Sequence, residues 1–193
     1  MTRTIRFFLT IPLAAVLAAV SPPGSPAAAA DPPWERLREG GYVLLLRHGI
    51  APGTGDPDHF DLDDCATQRN LSEEGRRQSA AIGESFRAAG VPVAKVLSSQ
   101  WCRCRETARL AFGGHEDFPP LNSFFGRPER GARQTGDTLE RIRSENRDGG
   151  NLVLVTHQVN ITALTGVFPS QGEVIVARLS AGGALEVVDR FSP

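Results

Sequence analysis

The chain has 193 residues, with 21 Lys and Arg against 22 Asp and Glu, a formal net charge of −1 and 40% hydrophobic residues. Near-neutral charge excludes a protein that holds nucleic acid by bulk electrostatics, and the hydrophobic share suits a globular chain with a sizeable core. Basic side chains are nearly all Arg, Lys95 being the only Lys, a bias that phosphate recognition favours and GC-rich coding also produces.

Residues 1–30 read as a secretory signal peptide. Arg3 and Arg6 form a short basic region, Phe7 to Val20 an apolar stretch, and Ser21 to Pro26 break it before Ala28-Ala29-Ala30. The apolar stretch contains Pro12 and falls short of the roughly 20 residues a membrane span needs. No cysteine lies near the cleavage point, which excludes lipid attachment there. Cleavage leaves residues 31–193 as one domain of 163 residues with a net charge of −3. The expected location is periplasmic or secreted, with no stable membrane insertion. Cys65, Cys102 and Cys104 are an odd set, so at most one internal disulfide forms. In an oxidising compartment Cys65 pairs with Cys102 or Cys104; helix residues two apart point in different directions, so only one of these faces Cys65. No spaced Cys/His quartet marks a zinc site.

The first strand is expected over 42–47, where Tyr42-Val43-Leu44-Leu45-Leu46 is an unbroken apolar run. A loop rich in Gly, Pro and Asp follows over 50–70. Ser72 caps a helix with Glu73 and Glu74 in its first turn, where the dipole favours acids. Ile82, Phe86 and Ala89 lie at helical spacing, and Gly90 followed by Pro92 ends that helix. A second strand is expected over 95–98 and a second helix over 100–112. A turn-rich loop spans 113–133, and a polar-faced helix 135–147 closes on Gly149-Gly150. Residues 152–156 form another strand, followed by a short helix over 160–165. The runs 173–179 and 185–189 read as a hairpin around Ala181-Gly182-Gly183. Strands alternating with helices predict an α/β fold: a three-layer α/β/α sandwich with a mostly parallel central sheet and an antiparallel edge.

Three strand ends carry unusual polar residues: Arg47-His48-Gly49, then Ser98-Ser99-Gln100-Trp101-Cys102-Arg103, then Thr156-His157-Gln158. In a parallel sheet all three converge on the carboxyl edge, where ligands bind in open α/β folds. Two Arg there offer forked, permanently charged grips on an oxyanion, and two imidazoles can attack or move protons near neutral pH. Gly49 is expected to let the backbone turn away without a Cβ in the pocket. The combination points to phosphate chemistry.

These motifs resemble the histidine phosphatase superfamily, with its phosphoglycerate-mutase-like fold. The likeness runs from Tyr42 to about Leu179: Leu46-Arg47-His48-Gly49, the element Arg69-Asn70-Leu71-Ser72-Glu73-Glu74-Gly75, the set Ser98, Ser99, Arg103, Thr107 and Ala108, and His157. In order and spacing together they are specific. The resemblance implies that His48 is the nucleophile and becomes transiently phosphorylated. It implies that Arg47, Arg103 and His157 surround the phosphoryl oxygens, that Thr54 adds a polar phosphate contact, and that no metal or other cofactor is required. The phrases Cys65-Ala66-Thr67-Gln68-Arg69-Asn70-Leu71, Leu121-Asn122-Ser123-Phe124-Phe125 and Thr156-His157-Gln158-Val159-Asn160-Ile161-Thr162 also resemble exported lipopolysaccharide core heptose phosphatase relatives. That likeness implies a sugar-phosphate or envelope substrate.

The sequence departs from the family at the general acid. Many members place a Glu in the loop after the second helix, but 121–126 has no carboxylate, and the residue after the second histidine is Gln158. Asp56, Asp117 and Glu129 remain as candidates, Glu129 first because it lies in the right loop. Of the other residues, His59 and His115 are expected at the surface, Arg105 and Arg109 in exposed ion pairs, and Trp34 and Trp101 in packing. The run Asp56, Asp58, Asp61, Asp63 and Asp64 lacks metal-ligand spacing and reads as a solvated loop. The expectation is an exported, metal-independent phosphomonoesterase acting on a small molecule through phosphorylated His48. The alternatives are a protein-phosphohistidine phosphatase and a non-catalytic phosphate- or phospho-sugar-binding module.

Overall fold

The computed structural model describes residues 32–145 and 149–193, with Met1; the signal-peptide expectation for 1–30 lies outside them. The elements in order are α1 (Trp34–Arg38), β1 (Val43–Arg47), α2 (Glu73–Ala88), β2 (Val93–Ser98), α3 (Cys102–Phe112), β3 (Glu116–Asp117), α4 (Gly131–Ser144), β4 (Asn151–Thr156), α5 (Gln158–Thr165), β5 (Val174–Leu179) and β6 (Leu185–Phe191). One six-stranded sheet has the order β3-β2-β4-β1-β5-β6. The first four are parallel, and β5 and β6 form the antiparallel edge. This is the expected three-layer α/β/α arrangement.

Strand alternation explains the layers. Leu44, Leu46, Val153, Val155, Val174 and Val176 face a core completed by Leu37, Ile82, Phe86, Ala108 and Ala111, so α1, α2 and α3 cover that side. Val43, Leu45, Leu152, Leu154, Ile175 and Ala177 face the other core, closed by Ile142, Ile161 and Leu164 from α4 and α5. Successive side chains of a strand point to opposite faces, so runs that are apolar throughout belong to strands buried on both sides. α2 starts as expected, with Ser72 Oγ accepting the Gly75 N–H. It crosses α3 closely: a Cβ on Gly83 would lie 2.1 Å from the Ala111 carbonyl oxygen.

Some elements differ from the sequence reading, β2 and α5 beginning two residues earlier than expected, at Val93 and Gln158. α1 has no counterpart there; five residues with one buried position, Leu37, carry no readable period. The segment 113–133 holds the short strand β3 and two 3-10 turns, and α4 begins at Gly131, before the expected 135. α4 ends at Ser144, and 146–148 lie outside the described residues. Cys65 pairs with Cys102, and Cys104 is a buried free thiol. Among the described residues no helix is long and apolar enough to cross a membrane, and no group of three or more His, Cys, Asp or Glu is arranged to hold a metal ion.

Candidate active site

The parallel strands β1, β2 and β4 end together. The register pairs Arg47 with Thr156 and Ser98 with Val155, so the residues that follow each strand emerge side by side. His48 donates its backbone N–H to the Thr156 carbonyl at 3.0 Å. Its ring Nδ1 lies 2.8 Å from the Gly49 carbonyl oxygen. A carbonyl only accepts, so Nδ1 carries the hydrogen and the Nε2 lone pair stays available. Gly49 is held from α3, its N–H donating to Thr107 Oγ1 at 3.0 Å. The reason for glycine here is close packing rather than a turn: a Cβ would lie 2.6 Å from Ser79 Oγ and 2.8 Å from the Gly75 carbonyl oxygen of α2.

Around His48 stand three guanidiniums. Arg47 donates through Nη1 to the Pro169 carbonyl at 2.9 Å. Arg69 donates to the carbonyls of Gly55 and Ala51 at 2.7 and 2.6 Å, beneath the loop that bears Thr54. Arg103, only 2% exposed, grips the Asp56 carboxylate with both terminal nitrogens at 2.7 and 3.1 Å. Asp56 also accepts the Trp101 indole N–H at 2.9 Å and the Arg69 backbone N–H at 3.1 Å. Arg47 Nε and Arg103 Nε are buried without a partner among the described residues, so the pocket holds more donors than the protein supplies acceptors for.

The electrostatics follow from this crowding. Burial is the largest influence lowering the pKa of both His48 and His157 well below the ordinary imidazole value, and the Arg103 charge adds to it. Both rings are therefore neutral at pH 7. Burial and the neighbouring Arg103 bring Arg69 down to about 10, still charged at pH 7. Burial pushes the Asp56 carboxyl up, but the hydrogen bonds and charge of Arg103, with the Arg69 and Trp101 donors, outweigh it and hold Asp56 ionised. Three cations and one anion leave the pocket at +2, the complement of a phosphomonoester dianion.

His157 sits 5.5 Å from His48 between ring centroids. Its Nδ1 faces Arg103 Nη2 at 3.4 Å and its Nε2 lies 2.8 Å from Ser99 Oγ. A guanidinium only donates, so Nδ1 accepts and Nε2–H is given to Ser99, whose hydroxyl continues to Asn122 Oδ1 at 3.2 Å. Cys104 packs against the same ring with Sγ 3.5 Å from Nε2, and burial pushes its thiol up to about 12, which leaves it an uncharged packing group.

Arg47, His48, Thr54, Arg103 and His157, each expected from the sequence, line one cleft of about 1100 Å³. Thr54 is carried between Gly53 and Gly55, both at positive φ, which glycine adopts without strain. Glu129 is not brought to the cleft: it is exposed on the 3-10 turn Pro128–Arg130 and absent from the lining. Its loop does reach the site, but through Phe125, Gly126, Arg127 and Arg130. Asp117 is engaged in β3 by Arg105 and His115. Asp56 reaches the site as the ionised partner of Arg103, so it has no proton to give. Gln158 lines the cleft and donates to Thr162 Oγ1 at 2.9 Å. Sequence reasoning gives Arg69, Ser99 and Asn122 no role of their own: Ser99 appears there in a converging strand end, and Arg69 and Asn122 only as letters of motifs. Trp101 serves the site as well as packing, and His59 lies on the cleft rim.

Residues 43–122 match the family model of the histidine phosphatase superfamily (branch 1). No curated protein sequence matches the chain. Solved structures share its fold at low identity. The protein histidine phosphatase SixA complexed with tungstate is 17% identical, with a TM-score of 0.52 over 79% of this chain and 97% of that one. A candidate α-ribazole-5′-P phosphatase from Escherichia coli is 16% identical, with a TM-score of 0.58 over 80% and 97%. A phosphoserine phosphatase from Entamoeba histolytica in complex with phosphoserine is 12% identical, with a TM-score of 0.55 over 78% and 96%. The Arg-His-Gly strand end lies inside the segment that matches this family model, and the second histidine stands beside it in a fold similar to those of these solved phosphatases.

Proposed function

We infer that the protein is an exported phosphomonoesterase that works through a phosphohistidine at His48 and needs no metal. The observation that carries this reading is the Nδ1 contact of His48 with the Gly49 carbonyl, which leaves Nε2 as the free nucleophilic nitrogen among three guanidiniums. Nε2 attacks phosphorus in line, the P–O bond to the leaving group breaks, and the phosphoryl group resides on His48. Arg47, Arg69 and Arg103 hold the charge on the equatorial oxygens, the role that a metal ion plays in other phosphoryl-transfer sites. Water then attacks phosphorus, and inorganic phosphate leaves with Nε2 again neutral. Asp56, the carboxyl group that contacts Arg103, is held ionised and has no proton for the leaving oxygen, which favours substrates whose leaving group departs without strong acid assistance.

Export is supported by the layout of residues 1–30 and by the Cys65–Cys102 disulfide, a bond at home in oxidising compartments. The test is hydrolysis of an activated aryl phosphate with a chelator present, wild type beside His48→Asn. Chelator-resistant turnover that disappears in the variant, with acid-trapped radiolabelled phosphate on the wild type alone, is the expected result. Phosphate binding by both proteins with turnover by neither would replace this reading with the non-catalytic module. The mass of chain recovered from the periplasm of an expression host tests export, a mature start near residue 31 being expected.

A further inference from the structure

The phosphoryl pocket uses only the inner part of a cleft whose roughly 1100 Å³ far exceeds a phosphoryl group. The outer part has its own chemistry. Phe125 and Phe168 line it and are 59% and 67% exposed, an unusual amount of apolar ring surface left in water. Arg127 and Arg130 line the same cleft and are exposed. Neither guanidinium has an ion pair or a side-chain hydrogen bond among the described residues, whereas Arg76, Arg105, Arg141 and Arg190 each have a carboxylate partner. Arg130 also stands at the N-terminus of the 14-residue helix α4, which has no acidic residue in its first turn and so adds positive potential at that rim.

This outer part is continuous with the inner one. Asn122, which accepts from Ser99 in the His157 chain, starts the segment that carries Phe125, Arg127 and Arg130. Phe168 precedes Pro169, whose carbonyl holds Arg47. Asp58, Asp61 and Asp63 also line the cleft, from the loop before α2, so its acidic and free basic side chains come from different segments and an anionic leaving group is directed to the one that bears Arg127 and Arg130.

We propose that this outer cleft is a leaving-group subsite in which Arg127 and Arg130 bind a second anionic group and Phe125 and Phe168 cover the apolar, flat body that carries it. The substrate class is then a phosphomonoester whose leaving group bears its own carboxylate or phosphate on such a body. This rests on the phosphomonoesterase reading above, and the test separates the two. Calorimetric titration of the full chain uses two non-hydrolysable probes, 2-naphthylmethylphosphonate and its 6-carboxy derivative, and phenyl phosphate turnover is measured in parallel. The carboxylated probe is expected to bind about tenfold more tightly. That ratio falls to within about twofold in R127A/R130A, and both probes weaken in F125A/F168A while the ratio persists. Equal affinities in the wild type, or a ratio unmoved in R127A/R130A, overturn the subsite. A kept ratio with no turnover of phenyl phosphate leaves the subsite standing and overturns the catalytic reading instead.

Discussion

Replacing Asp56 by asparagine tests the electrostatic design of the pocket. Arg103 is 2% exposed and the Asp56 side chain 8%, and they meet through two hydrogen bonds. Removing one partner of such a buried pair costs about 3–5 kcal/mol, because the other charge is left uncompensated. The amide of the Asp56→Asn variant keeps one acceptor oxygen, which places the expected loss near the lower end, about 3 kcal/mol. The substitution also takes the pocket from +2 to +3. An oxyanion then supplies the missing negative charge, so phosphate should bind the variant at least about tenfold more tightly, or about 1.4 kcal/mol. Ligand that binds only the folded state stabilises it by RT ln(1 + [L]/Kd). Urea unfolding at pH 7, with and without millimolar orthophosphate, reads both effects. The variant should be less stable without phosphate and recover more stability than the wild type when it is added. Equal stabilities without phosphate, or equal gains with it, would refute the account of Asp56 as the internal counter-charge of Arg103.

Two further perturbations address the rest of the site. Because His48 and His157 are held neutral by burial first and Arg103 second, the unfolded chain binds more protons than the folded one once pH drops below the ordinary value of 6.5. Stability should therefore fall with decreasing pH by about 1.4 kcal/mol per unit for each histidine until the folded pKa is reached. His48→Asn should remove one histidine's share of the slope as pH falls below 6.5, and denaturation curves of equal slope would contradict the neutral assignment. The disulfide closes a loop with a sequence separation of 37 that includes Arg69 and follows directly on the segment bearing Asp56. Chain entropy assigns its removal a cost of about 4 kcal/mol. C65S/C102S should lose stability on that order in chemical denaturation and bind phosphate more weakly; phosphate affinity unchanged in that variant would show that the crosslink does not position the site.

Much of the fold was legible because it rests on local patterns. The unbroken apolar runs at 43–46 and 152–155 announce strands covered on both faces, and Ser72 with two following acids announces a helix start. Parallel pairing then forces Arg47, His48, Ser99 and His157 to one edge, because each lies at or just beyond the carboxyl end of its strand. What no local pattern carries is the destination of loop side chains. Asp56 lies 47 positions from Arg103, and its role changed from candidate acid to ionised counter-charge once the tertiary structure placed four donors around it. Glu129 shares a loop with cleft residues yet stays out of the cleft, since a 3-10 turn presents successive side chains in different directions. The choice of Cys102 over Cys104 was likewise decided by helix direction: Cys102 faces the loop bearing Cys65, while Cys104 faces the sheet and His157. Sequence alone thus determined the layers, the strand ends and the place of His48, all consequences of hydrophobic period and chain direction. Only the tertiary structure decided the charge, tautomers and outer wall of the site, because these depend on contacts between side chains far apart in the chain.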